Sequence, residues 1–168
     1  MALGVLGLDH ETAAFAVASI RRGWQQSGKA LYPDKKELLI TADGGGSTGV
    51  KNRLWKKKLQ DLAHEEQLAI TVAQDPPATS KWNKVEHRLF SFISINWRAT
   101  PLTSLEIVLE LISHTSTKEG LEVIAVKDSQ EYPTGLKVTE AELAALNLLR
   151  DPFHGEWNYT IRPQSSLS

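Results

Sequence analysis

The chain of 168 residues has no cysteine and a single methionine. Without thiols it can form no disulfide, no thiolate nucleophile and no cysteine-ligated zinc or iron–sulfur site, so any metal must take oxygen or imidazole donors. No stretch reaches the roughly 18 apolar residues of a membrane span. The start, MALGVLGLDHETAAF, lacks the basic flank and small-residue cleavage site of a secretory signal. The expectation is a cytoplasmic protein with no membrane partner. An excess of one charge is also missing: the net charge of −1 gives no general attraction to nucleic acid, so any DNA contact must rest on local clusters. The five histidines are scattered without metal-ligand spacing.

What is present suits one core, with 41% hydrophobic residues and no internal repeat. Leu38, Leu39 and Ile40 form a short apolar run that reads as a buried strand. It ends at Asp43, where Gly44, Gly45 and Gly46 let the backbone turn sharply. In open α/β sheets ligands and catalytic groups collect at the C-terminal ends of strands, which makes Asp43 the first candidate site residue. The glycines also permit a phosphate-binding loop, but GGGSTG lacks the lysine of a P-loop and the spacing of a dinucleotide fingerprint.

Before this stretch, Leu3 to Leu8 reads as a strand. Ala13, Ala16, Ile20 and Trp24 then recur at helical spacing, with Asp9 as the expected N-cap and Gly28 and Pro33 ending the helix. After the glycines, Val50, Leu54, Leu59 and Leu62 mark one face of a second helix running to about Glu66. Arg53, Lys56 and Lys57 project together on its other face, flanked by Lys51 and Lys58. That face fits phosphate-backbone contact, though the charges alone favour a solvated surface balanced by Asp61, Glu65 and Glu66.

LAITV, Leu68 to Val72, reads as the next strand, and Pro76 and Pro77 delay the following helix until about Ser80. On that helix Trp82, Val85, Leu89, Phe92 and Ile93 form an apolar sector, and Glu86 falls inside it. A carboxylate there is expensive unless paired, protonated or metal-bound. A functional role stands about equal to the bland alternatives, a salt bridge to an arginine or lysine or a sector edge that reaches water. Capping boxes at Thr103–Glu106 and Thr139–Glu142 open two further helices, LEIVLELISH and EAELAALNLL. LEVIAV alternates like a strand, and Trp157 and Tyr159 read as packing groups.

The blocks LLITADGGGSTG, PPATSKWNKVEHRLFSFISINWR and FHGEWNYTI, in this order, closely resemble the DDE transposases of bacterial insertion sequences, in the Rhodopirellula-type subfamily. The resemblance runs over nearly the whole chain and implies an α/β fold with an RNase H-like core, about residues 3–116, with an extension over about 117–168, in a single domain. It makes Asp43 the second and Glu86 the third acid of a catalytic triad. Asn83, one turn before Glu86, is a possible support for the glutamate, with helix capping as its alternative. Arg53, Lys56, Lys57, Lys81 and Lys84 become DNA-contact candidates. The implied chemistry is phosphodiester hydrolysis and strand transfer with two Mg2+ or Mn2+ ions at the carboxylates, on transposon-end DNA.

The first catalytic aspartate and the first two strands of the family core are not matched. The expectation is therefore an N-terminally truncated domain, inactive alone, that binds metal weakly. A non-catalytic DNA-binding fragment, or a homodimer formed through an unpaired sheet edge, is the alternative. Asp9 reads as a helix cap rather than a replacement acid, and Asp75 as a turn residue rather than an extra ligand.

Overall fold

A computed structural model of the chain describes residues 12–43, 48–49, 51–75, 132–133 and 135–164. They lie in one compact unit, Glu11–Ser80 with Glu131–Ser168. The strand expected at Leu3–Leu8, the helix carrying Glu86, the Thr103–Glu106 capping box and the strand at Leu121–Val126 all lie outside the described residues. So does part of the expected single domain.

Helix α1, Ala13–Gly23, is capped by Thr12, whose hydroxyl accepts a hydrogen bond from the Phe15 amide at 3.1 Å. The expected cap, Asp9, lies three residues too early: the extended backbone and side-chain oxygen needed for capping both belong to Thr12. Gly28 does not end the helix either. The chain continues as a π-helical turn, Trp24–Gly28, into the short helix α2, Lys29–Leu31. A Cβ on Gly28 would meet the Trp24 ring at 2.4 Å, so glycine is needed there for close packing rather than for a turn.

Strand β1, Glu37–Asp43, leads to helix α3, Arg53–Glu66, and strand β2, Ala69–Asp75. Asn52 caps α3 by accepting from the Trp55 amide at 3.1 Å, and Gln67 closes it in the left-handed conformation, φ 52°. Further along the chain come helix α4, Glu140–Ala144, strand β3, Leu148–Arg150, and strand β4, Asn158–Ile161. The capping box at Thr139 and Glu142 is present as expected. The helix it opens is shorter than EAELAALNLL, because Asn147 spends its amide on Gln60 Oε1 and its side chain on the Pro163 carbonyl, which turns Leu148 into a strand.

The strands form one mixed sheet in the order β1-β2-β4-β3, parallel between β1 and β2 and antiparallel elsewhere. Its inner face meets α1 and α3 through Val17, Trp55, Leu59, Leu62, Ile70, Val72, Tyr159 and Ile161, all at most 1% exposed. Strand alternation sends the neighbouring residues to the opposite face. Leu38 and Ile40 pack against the core while Leu39 is exposed, so β1 is only half buried. The architecture is the mixed α/β arrangement expected of an RNase H-like domain.

Candidate functional site

β1 and β2 run parallel in strict register, so their C-terminal ends lie side by side. The last pair in that register is Asp43 with Asp75. Adjacent strands are about 4.8 Å apart, which puts two carboxylate-bearing residues at neighbouring positions on one sheet end. Asp43 thus stands at the strand terminus as expected. Asp75 differs from expectation: it is a strand residue, not a turn residue. The local reason is Pro76, which disfavours helical geometry in the residue before it and extends the strand up to the proline. That signal was available in the sequence.

The same sheet end is tied to two loops. Gln74, beside Asp75, is buried, and its side-chain amide donates to the Thr48 carbonyl, just after the glycine loop. Its backbone amide donates to the Trp157 carbonyl at 3.1 Å, which fixes the loop between β3 and β4 at this end as well.

The three basic residues proposed on α3 do not share one face. Lys56 is buried at 8% exposure, with its ammonium 5.4 Å from the centre of the Tyr159 ring. Burial, and then the nearby Arg150 charge, hold its pKa below the ordinary lysine value. The expected face misplaced it because the buried stripe of α3 is centred on Trp55, Leu59 and Leu62, and Lys56 borders that stripe. Arg53 is exposed and pairs with Glu140; Lys57 pairs with Asp61 at 2.8 Å. Tyr159 is a packing residue, as expected. Its hydroxyl accepts from Trp55 Nε1 at 2.9 Å, and burial pushes its pKa up to about 12. Glu86, Asn83, Lys81, Lys84 and Asp9 lie outside the described residues.

Residues 3–163 match the family model described as the Rhodopirellula transposase DDE domain. The chain belongs to this family. No curated protein and no solved structure matches it. Membership makes a role in DNA transposition the function class and DNA the partner class, and DDE domains generally use divalent metals. Among the described residues, no helix is long and apolar enough to cross a membrane.

The donor chemistry of this transposase domain fits such a metal. Asp43 and Asp75 offer only oxygen, which hard divalent cations take, and the sequence has no thiol to select a softer ion. Among the described residues no three potential ligands come together.

Proposed function

We propose that the chain provides metal-binding carboxylates for DNA cleavage and strand transfer, with Asp43 and Glu86 as ligands. The observation that carries this is the position of Asp43 at the C-terminal end of a parallel strand, in a chain of the DDE transposase family. A bound Mg2+ or Mn2+ would supply activation of the attacking hydroxyl and stabilisation of the leaving oxygen. The protein's own part is to fix a carboxylate on a rigid strand end, where its position does not depend on a loop.

DNA contact is assigned to Arg53 and Lys57 on α3, together with Lys81 and Lys84. The ion pairs that Arg53 and Lys57 make on the surface do not prevent this. The exposed Arg53–Glu140 pair is worth about 0–1 kcal/mol, so a phosphate can replace that carboxylate at little cost, and the half-buried Lys57–Asp61 pair still reaches water. Lys56, being buried, is not part of this surface.

The test is Mn2+ binding followed by electron paramagnetic resonance, alongside a nicking assay on supercoiled DNA. Asp43→Asn and Glu86→Gln are each expected to weaken Mn2+ binding at least about tenfold, the scale expected for disturbing a metal site. Unchanged Mn2+ affinity in both variants would remove the assignment. Nicking by the native chain that Asp43→Asn abolishes would assign the carboxylate to cleavage as well as to metal binding.

A further inference from the structure

The loop between β3 and β4 holds the most exposed large apolar side chain among the described residues, Phe153, at 72%. Loops that leave an aromatic ring in water are usually loose. This one is pinned from several directions. Asp151 Oδ1 accepts from the Phe153 amide at 2.8 Å, and Asn158 Nδ2 donates to the Phe153 carbonyl at 3.3 Å. The amides of Trp157 and Asn158 both donate to the His154 carbonyl at 2.9 Å. Arg150 Nη1 donates to the Gly155 carbonyl at 3.1 Å.

The backbone is also strained where the ring is presented. His154 sits at φ 51°, a region that non-glycine residues adopt at a cost. A Cβ on Gly155 would meet the Asp151 carbonyl at 2.5 Å, so the loop closes only with glycine there. Local strain and hydrogen bonds are thus combined to hold an apolar ring out of the core, and core packing explains none of this.

A trough of about 400 Å3 begins at Asp151 and Pro152, just before Phe153 in the chain, and its mostly apolar lining includes Leu149, Tyr159, Arg150 and Arg162. Among the described residues neither arginine takes part in an ion pair. Their positions are separated along the hairpin: Arg150 is paired with Tyr159, three residues before Arg162, or roughly 10 Å along β4. Thr71 and Thr160 bond each other, and Asn158 and one Arg150 nitrogen bond carbonyls of the loop itself, so the guanidiniums are what the trough offers a phosphate. Cations near an exposed aromatic ring are the two components of a single-strand binding surface, one tracking the phosphates and the other stacking a base. The Trp157–Gln74 bond puts this loop at the sheet end that carries Asp43 and Asp75.

We infer that the β3–β4 hairpin is a DNA-strand contact, with Phe153 stacking on an unpaired base and Arg150 and Arg162 engaging the adjoining backbone. The inference rests on the transposase reading and adds to it the form of DNA held at this sheet end: a strand with an unpaired or splayed base. A protein partner would also cover an exposed ring, but two guanidiniums that make no ion pair among the described residues suit a polyanion.

Fluorescence anisotropy with a duplex carrying a short unpaired 3′ end, compared with its blunt counterpart, tests this. Base–aromatic stacking of about 1–3 kcal/mol corresponds to roughly 5- to 150-fold in affinity. Phe153→Ala is expected to weaken binding of the overhang DNA within that range, to leave blunt-duplex binding unchanged, and to abolish the quenching of a 2-aminopurine placed in the overhang. Phe153→Trp is expected to restore both signals. Arg162→Gln should reduce the salt dependence of overhang binding by about 0.7 in the log–log slope. Because Phe153 and Arg162 are exposed, the melting temperatures of these variants should match the native chain. Native-level affinity for the overhang in Phe153→Ala would overturn this role of the hairpin and leave the transposase reading standing. Absence of DNA binding by the native chain would overturn both.

Discussion

At the scale of single residues, the contact between Trp55 and Tyr159 decides most about the core beneath the sheet. Both side chains are about 1% exposed, and each carries one polar atom that must be satisfied away from water. The indole donates to the phenol, so removing the hydroxyl leaves a buried N–H without its partner. Tyr159→Phe is therefore expected to cost about 1–3 kcal/mol at neutral pH. The pH dependence gives a second readout. Burial raises the folded-state pKa of Tyr159 to about 12, above the unfolded value near 10. The folded state then holds the proton more tightly, so this stabilisation is fully present below about pH 10 and is lost as pH rises towards 12. Urea denaturation across that window should show the native chain losing roughly 2–3 kcal/mol that Tyr159→Phe does not lose. Parallel curves for the two proteins would refute the shift. None of this pairing was legible in the sequence, because the partners are 104 positions apart and nothing in either local pattern points to the other. Lys56 was misread for a related reason: a wheel drawn on Leu54 and Leu59 leaves it on the polar side, and only the contact with Tyr159 shows that it lies under the sheet.

At the scale of elements, local chemistry accounts for where α3 begins and stops. Asn52 supplies the capping oxygen, Trp55 starts the buried stripe, and Gln67 turns the chain left-handed into β2. Asn52→Ala should lower stability by about 1 kcal/mol, with a range of 0.5–2 typical of lost caps, while Asn52→Ser should recover most of it. Thermal unfolding of the three proteins checks this, and equal melting temperatures would show that α3 gains nothing from its cap. Elements of this kind were readable where the signal is local: the span of α3, the Thr139–Glu142 capping box and the strand ending at Asp43 all came from short-range pattern. The misreadings arose where tertiary contacts compete with local preference. Gly28 reads as a helix stop, yet it continues the helix because the Trp24 ring packs on it. Leu148 and Leu149 extend a helical pattern, yet the hydrogen bonds of Asn147 commit them to a strand. Asp75 is a different case: the proline after it marks it as a strand residue locally, and only its pairing with Asp43 depends on the register of the folded sheet.

At the scale of the molecule, the sheet joins two distant parts of the sequence, since β2 lies between β1 and the strand β4 that follows it some 80 residues later. Hydrophobic burial alone does not fix how the β3–β4 hairpin sits on α3. Gln60 does. It is 2% exposed, its Oε1 accepts from the Asn147 amide at 2.7 Å, and its Nε2 donates to the Arg162 carbonyl at 2.8 Å. One side chain on the helix thereby ties down the residue before β3 and the residue after β4. The same two strands carry the loop that presents Phe153, and the β2–β4 ladder with the Gln74–Trp157 bond holds that loop at the sheet end of Asp43. Gln60→Met keeps most of the volume and removes both hydrogen bonds, leaving an amide and a carbonyl without partners. The expected loss is about 2–6 kcal/mol, the sum of two such penalties. Hydrogen exchange should localise it: protection should fall most in β3 and in the amide of Arg162, while α3 and β1 retain theirs up to the lowered global stability. A uniform loss of protection would mean instead that the hairpin and α3 unfold as one cooperative unit, with Gln60 contributing to the whole rather than holding one part against another.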